Sequence, residues 1–199
     1  VRPPLPAQMN TTQLTEATRS IQKGELVVFP TDTVYGIGCD PFSESAIEKL
    51  YAAKKRTKEK GIPVLISSIE KARELGVIST ECGELLQKHW PGALTVVVKQ
   101  RAQFPANLAK NDTIALRMPD HSLALEIVKA AGGALATSSA NITDEQPATT
   151  YEEACKNFPL LLVIDGGKTS GGTPSTVVDC MGRAVETLRD GPVKISEPI

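Results

Sequence analysis

An α/β fold is the expectation for this chain, and three observations carry it. Short apolar runs such as Leu26–Phe29, Ile62–Ile66 and Leu161–Ile164 are too brief for helices and read as buried strands. Stretches with apolar residues three and four apart stand between them, and alternation of that kind builds a sheet flanked by helices. The 199 residues, 41% of them hydrophobic, suffice to bury a sizeable core in a single domain.

The elements follow in order. Val1-Arg2-Pro3-Pro4-Leu5-Pro6 opens a loose, flexible N-terminal arm, residues 1–11, and the domain is expected over 12–199. Leu14, Ala17 and Ile21 trace a helix over 12–22, and Gly24 punctuates the entry to the strand Leu26–Phe29. Ser43 is placed as the N-cap of a helix with the apolar stripe Ala46, Ile47, Leu50 and Tyr51. Lys54 and Arg56 fall at its C-terminal end, where cations suit the helix dipole. Ile62–Ile66 is a strand with its proline confined to the beginning, where a missing amide donor is tolerated. Helices near 70–75 and 80–89, strands at 93–99 and 113–117, a helix at 123–131 and a short strand at 134–137 come next. A polar loop at 142–149 leads to a helix at 150–157, the strand 161–164, a glycine-rich loop at 165–172 and final strands at 175–180 and 184–188. Repeats, low-complexity segments and interdomain shifts of composition are absent from this sequence.

Composition excludes several classes. A net charge of −1 and an isoelectric point near 6.2 give no global attraction to phosphate polymers, so weak or no direct binding of nucleic acid, whether DNA, mRNA or tRNA, is expected. Cys39, Cys82, Cys155 and Cys180 stand far apart, without the Cys-x-x-Cys pair of a zinc ribbon or redox dithiol. Free thiols in a reducing cytoplasm fit them best. The opening residues lack the apolar stretch of a signal peptide, and no run approaches the ~18 apolar residues of a membrane span.

Most familiar short motifs are missing, including the phosphate-binding Gly-x-x-x-x-Gly-Lys-Ser/Thr, Gly-x-Gly-x-x-Gly and His-Glu-x-x-His. Ser20-x-x-Lys23, Ser139-Ala140-Asn141 and Lys168-Thr169-Ser170 imitate in order the elements of penicillin-binding enzymes. Chance accounts for that pattern, since Ser68-x-x-Lys71 repeats its first element. Lys54–Lys60, taken alone, reads as a solvated helix end. Its functional reading is that Lys54 and Arg56 reach one set of phosphates, arginine by its planar fork and lysine as a point charge. Arg117 suits a structural ion pair or a clamp on a ligand carboxylate equally. Ser138-Ser139-Ala140-Asn141 suits a turn or cap as well as a site offering hydroxyls without bulk. Cys39, His89 and His121 have no partner at metal-ligand or dyad spacing and are given no chemistry, and Trp90 is expected to be buried for packing.

Seven ordered segments carry more together than apart: Pro-Thr-Asp-Thr-Val-Tyr-Gly at 30–36, Lys-x-Arg at 54–56, His-Trp-Pro-Gly at 89–92, Arg-Met-Pro at 117–119, Ser-Ala-Asn at 139–141, Asp-Gly-Gly at 165–167 and Ser-Thr-Val-Val-Asp at 175–179. Over about residues 12–193 the chain resembles YrdC-family L-threonylcarbamoyladenylate synthases in their stand-alone form. The resemblance implies a YrdC-like twisted mixed sheet flanked by helices, with a concave substrate pocket. It implies a nucleotidyltransferase that converts L-threonine, bicarbonate or CO2, and ATP into threonylcarbamoyl-AMP and pyrophosphate for tRNA modification, with a tRNA threonylcarbamoyl transferase downstream. By the same resemblance, threonine-binding positions fall on Thr33, Arg117, Thr137 and Ser175, and ATP-binding positions on Arg56, Lys60, Thr113, Ser139, Asn141 and Arg189. Lys54 and Arg56 are the expected catalytic pair. Mg²⁺ is expected only as the companion of ATP, without a dedicated protein metal site.

The chain departs from relatives at Thr57, where many have proline, at Ser67, where some have histidine, and at Ile142-Thr143-Asp144, where Ser-Gly often follows the Ser-Ala-Asn element. Ala148 lies at or beside a position where relatives offer a serine hydroxyl. A noncatalytic, RNA-binding paralogue of the same fold is the competing reading, and carbamoyl-adenylate chemistry on another acceptor is a third.

Overall fold

The computed structural model describes residues 11–57, 61–143, 145–170, 172–182 and 184–195. The expected N-terminal arm lies outside them except for Thr11, which begins the first helix. In chain order the elements are α1 (Thr11–Gln22), β1 (Val27–Pro30), β2 (Tyr35–Cys39), α2 (Glu44–Ala53), β3 (Val64–Ile66), α3 (Ile69–Leu75), α4 (Thr80–His89), β4 (Leu94–Lys99), β5 (Thr113–Arg117), α5 (Ser122–Ala130), β6 (Ala134–Ser139), α6 (Tyr151–Asn157), β7 (Leu162–Val163), β8 (Thr176–Asp179) and β9 (Glu186–Arg189). Serine side chains start three of the helices: Ser43, Ser68 and Ser79 each accept the amide hydrogen of the residue three places on. Caps of this kind are worth about 1 kcal/mol each.

The nine strands form one mixed sheet in the order β7-β1-β2-β6-β3-β5-β4-β8-β9. The β1/β7, β3/β5 and β4/β8 pairs are parallel, and the other neighbours are antiparallel. Alternation along the strands separates two apolar layers. Val64, Ile66, Leu94, Val96, Leu116, Ala134 and Ala136 face the larger one, which α2, α3, α4 and α6 cover. Val27, Phe29, Leu65 and Leu135 face the smaller one, where α1 and α5 pack through Ala17, Ile21, Leu123 and Ile127.

The same alternation positions the site. Residues one step along from the larger layer are Thr95 on β4, Arg117 on β5 and Thr137 on β6, and α1 and α5 do not extend over them. Polar side chains therefore floor an open hollow on the same sheet face whose other part carries the smaller apolar layer.

Two sequence expectations need correction. The strand β2 was not anticipated, because Tyr35–Cys39 carries two glycines, which weaken a strand pattern. The strand expected over 134–137 continues through Ser138 and Ser139, since both pair with β2 in the register Ile37↔Ser138 and Gly36↔Ser139. Glycine at 36 is required there: a Cβ would sit 2.8 Å from Thr137 Cγ2 and push a floor residue out of place.

Candidate active site

Thr31 shapes the turn between β1 and β2. Its Oγ1 donates to the Val34 carbonyl oxygen (2.7 Å) and accepts the Thr33 amide hydrogen (3.2 Å), a hydroxyl-closed turn that holds Thr33 Oγ1 3.1 Å away. Arg117 reaches this turn from the end of β5. Its Nη2 donates to Asp32 Oδ1 (2.6 Å), Nη1 to Thr33 Oγ1 (3.3 Å) and Nε to the Gly92 carbonyl oxygen (3.2 Å). A guanidinium has five N–H donors, so two remain for a ligand. On the outer side Ser170 Oγ donates to the Asp32 carbonyl oxygen (2.5 Å) and Tyr35 Oη to that of Gly167 (2.8 Å), which ties the glycine-rich loop to the same turn. Burial pushes the Tyr35 hydroxyl up to about 12, so it stays a neutral donor.

Two hollows adjoin on this face. The first, about 380 Å³, is lined by Thr33, Arg117, Thr137, Ser139 and Asn141 among others. The second, about 410 Å³, is lined by Lys110, Asn111 and Thr113. Arg56, Pro63, Thr95, Ser175 and Arg189 line both, so the two are lobes of one groove. Arg189 donates through Nε and Nη2 to the Ser175 carbonyl oxygen at 3.1 and 2.7 Å. Burial first, and then the charges of Arg117 and Arg56, depress the pKa of Arg189. The junction thus concentrates positive charge that an oligo-anion would neutralise.

The sequence-derived positions divide unevenly over this groove. Thr33, Arg117, Thr137, Ser139 and Asn141 line the first lobe, Thr113 the second, and Arg56, Ser175 and Arg189 their junction. Lys60 lies outside the described residues. Lys54 is the correction: it lines neither lobe and is only 1% exposed. Its ammonium donates to the carbonyl oxygens of Ser139 (2.5 Å) and Asn141 (2.7 Å) and to Asn141 Oδ1 (3.0 Å). The helix stripe gives the reason. Lys54 follows Leu50 by four residues and Tyr51 by three, so it continues the buried face, while the left-handed Lys55 (φ 48°) turns the chain and releases Arg56 to the groove.

Lys54 therefore fixes one wall of the groove from behind. Asn141 Oδ1 also accepts from Ser139 Oγ (2.5 Å), and Asn141 Nδ2 donates to the carbonyl oxygens of Ile142 (2.8 Å) and Glu145 (2.7 Å). Thr143, in the stretch that departs from relatives, donates its amide and hydroxyl to the Lys54 carbonyl oxygen, both at 2.9 Å. Ala148 is buried and holds β2 through its backbone, its carbonyl oxygen accepting the Tyr35 amide at 2.8 Å, while Pro147 beside it lines the first lobe.

Burial, and secondarily the charge of Arg56, lowers the Lys54 pKa from 10.5 to about 8. The folded chain then releases this proton before the unfolded chain does, so between pH ~8 and ~10.5 the unfolded state holds more protons and stability rises with pH. The expected result is that the unfolding free energy of the parent, minus that of Lys54→Met, is level below pH ~8 and grows towards pH ~10.5. Urea unfolding of both across this window checks it, and a level difference throughout would contradict it.

Sequence reasoning missed Thr31, Thr95 and Glu145, all of which line the first lobe. Alternation in β4 between the buried Leu94 and Val96 was the available signal for Thr95.

Residues 19–191 match the Sua5/YciO/YrdC family model, described as "Telomere recombination". A Bacillus subtilis protein named threonylcarbamoyl-AMP synthase is 34% identical over 187 residues, covering 92% of this chain and 54% of the relative. A Methylococcus capsulatus protein of the same name is 31% identical over 174 residues, covering 85% of this chain and 94% of its own length. Among solved structures, P. abyssi Sua5 complexed with L-threonine superposes with a TM-score of 0.88 at 32% identity, over 92% of this chain and 55% of that one. The chain spans about half the length of the first and third of these and nearly all of the second. With a family model matched over most of its length and a mixed sheet that superposes on a named member, the chain belongs to the Sua5/YciO/YrdC family.

Proposed function

We propose that this chain is an L-threonylcarbamoyladenylate synthase. One observation carries the proposal beyond family membership: two adjoining lobes of similar volume, about 380 and 410 Å³, meet at Arg56, Ser175 and Arg189, so two ligands can be brought end to end beside two guanidiniums. An enzyme that joins a carbamoylated amino acid to a nucleotide needs such a junction. Relatives named threonylcarbamoyl-AMP synthase support the activity, and a relative solved with L-threonine supports the amino acid.

In this reading the amine of threonine attacks CO2, derived from bicarbonate, and loses a proton to give a carbamate. A carbamate oxygen then attacks the α-phosphorus of ATP, the bond to the β-phosphate oxygen breaks, and pyrophosphate leaves. No covalent enzyme intermediate is required. Arg117 holds the threonine carboxylate with its two remaining donors, while Thr33 and Thr137 bound its side chain. Arg56 and Arg189 face the phosphates at the junction, where fixed cations neutralise charge that develops as pyrophosphate departs.

Mg²⁺ fits as a companion of ATP. Among the described residues no three His, Cys, Asp or Glu are grouped to hold a metal, and Glu145 is the one carboxylate lining either lobe. An ion held by phosphates and water needs no more from the protein, and when bound it would offset phosphate charge. Among the described residues no helix is long and apolar enough to cross a membrane. The product would pass in the cytoplasm to a transferase acting on tRNA. A net charge of −1 and 4% aromatic residues favour this over the noncatalytic RNA-binding reading, which needs basic and stacking surface.

Pyrophosphate release from ATP, with Mg²⁺ and bicarbonate, tests the proposal. Release is expected with L-threonine and not with glycine. Folded protein that releases none with any amino acid would overturn it. In the same assay Arg56→Ala is expected to lose about thirtyfold in turnover, near 2 kcal/mol. Turnover within about threefold of the parent would remove Arg56 from the mechanism.

A further inference from the structure

We infer that Thr95, a residue with no role in the scheme above, contacts the reacting group where the two lobes meet and is a further ligand-binding residue of this site. The inference rests on the synthase reading. Thr95 is 3% exposed, lines both lobes, and lies on β4 opposite β8. Its Oγ1 is 2.8 Å from Ser175 Oγ.

A count of hydroxyl hydrogens makes the case. Thr95 and Ser175 together carry two, and the bond between them uses one. Ser175 Oγ also accepts from Arg189 Nη2 at 3.3 Å, and neither hydroxyl has another acceptor among the described residues. If Thr95 donates to Ser175, the Ser175 hydrogen is left over. If Ser175 donates to Thr95, the Thr95 hydrogen is. Either way the buried pair keeps one unspent donor, and burial makes leaving it so unfavourable. Both residues line the groove, so the acceptor is whatever fills it there, and a ligand that displaces water from this point takes over the hydrogen bond.

Its chemistry follows from the surroundings. Arg189 stands against Ser175, and the charges of Arg117 and Arg56 act on it, so the acceptor is an anionic oxygen. Because Thr95 belongs to both lobes, that oxygen is at the linkage between amino acid and nucleotide: a carbamate oxygen or an α-phosphate oxygen. The bond is therefore made fully only once both substrates are aligned. This assigns the pair to turnover more than to the affinity of either substrate alone.

The test compares Thr95→Val, which keeps the β-branched shape but not the hydroxyl, with Thr95→Ser, which keeps the hydroxyl. Thr95→Val is expected to lose about tenfold or more in threonine-dependent pyrophosphate release, the worth of one hydrogen bond to a charged acceptor. Its midpoint of thermal unfolding and its calorimetric affinity for ATP alone should stay near those of the parent, and Thr95→Ser should recover turnover to within about threefold. A folded Thr95→Val as active as the parent, or a Thr95→Ser as impaired as Thr95→Val, would overturn the inference and leave the synthase reading standing. A parent without threonine-dependent release would overturn both.

Discussion

Lys54→Met is expected to be less stable than the parent by about 3 kcal/mol and at least a hundredfold slower in turnover, the largest paired effect of any single substitution at this site. Methionine fills much of the same channel, so the loss is of hydrogen bonds rather than volume. The Asn141 carbonyl oxygen loses the ammonium as its donor, while the Ser139 carbonyl oxygen keeps only the Asn141 amide and Asn141 Oδ1 only the Ser139 hydroxyl; an unsatisfied buried acceptor costs about 1–3 kcal/mol and each lost bond to a charged donor a comparable amount. Relief of the ammonium's own desolvation, visible in its lowered pKa, offsets part of this. The turnover loss follows from geometry. Ser139, Asn141 and Glu145 line the first lobe from the turn that Lys54 holds, and a displacement of about 1 Å in positioning groups can cost a hundredfold. Urea unfolding and turnover at saturating substrates check both parts. A variant as stable as the parent that has only lost ATP affinity would put the ammonium in the groove and refute the supporting role.

Arg117→Lys is expected to raise the threonine concentration for half-maximal rate at least tenfold, and Arg117→Ala to lose about 3 kcal/mol of stability as well. The guanidinium serves three acceptors in different directions, Asp32, Thr33 and Gly92, and an ammonium on a flexible stem cannot span them while meeting a ligand carboxylate. Alanine is worse because Asp32, whose side chain is 13% exposed, would lose its ion-pair partner. Threonine titrations and denaturant unfolding check the pair. Unchanged threonine dependence in Arg117→Lys would separate Arg117 from substrate binding and leave it a structural ion pair.

The helices were legible because their signals are local. Ser43 caps α2 and the stripe through Ile47 and Leu50 is buried, as spacing alone required. The strands β1 and β5 were legible for the same reason, but β2 was not, since its glycines answer to Thr137 across the sheet, a contact no local pattern encodes. Of the expected site residues, Arg117 and Ser175 line the groove from strand ends, along with the hydroxyls beside them, because their position follows from where each strand stops. Lys54 was misplaced because charge was weighed above periodicity, although its position on the apolar stripe already pointed inward. Thr95 was missed because a single hydroxyl inside an apolar strand acquires meaning only when β8 brings Ser175 against it.

The central claim is that one groove joins a carbamoylated threonine to the α-phosphate of ATP. Mass spectrometry of the product formed from ATP, L-threonine and ¹³C-bicarbonate measures that linkage directly. An adenylate that contains both threonine and the labelled carbon is the result this account requires. Hydrolysis of ATP with no labelled adenylate, by folded protein supplied with threonine, would contradict it.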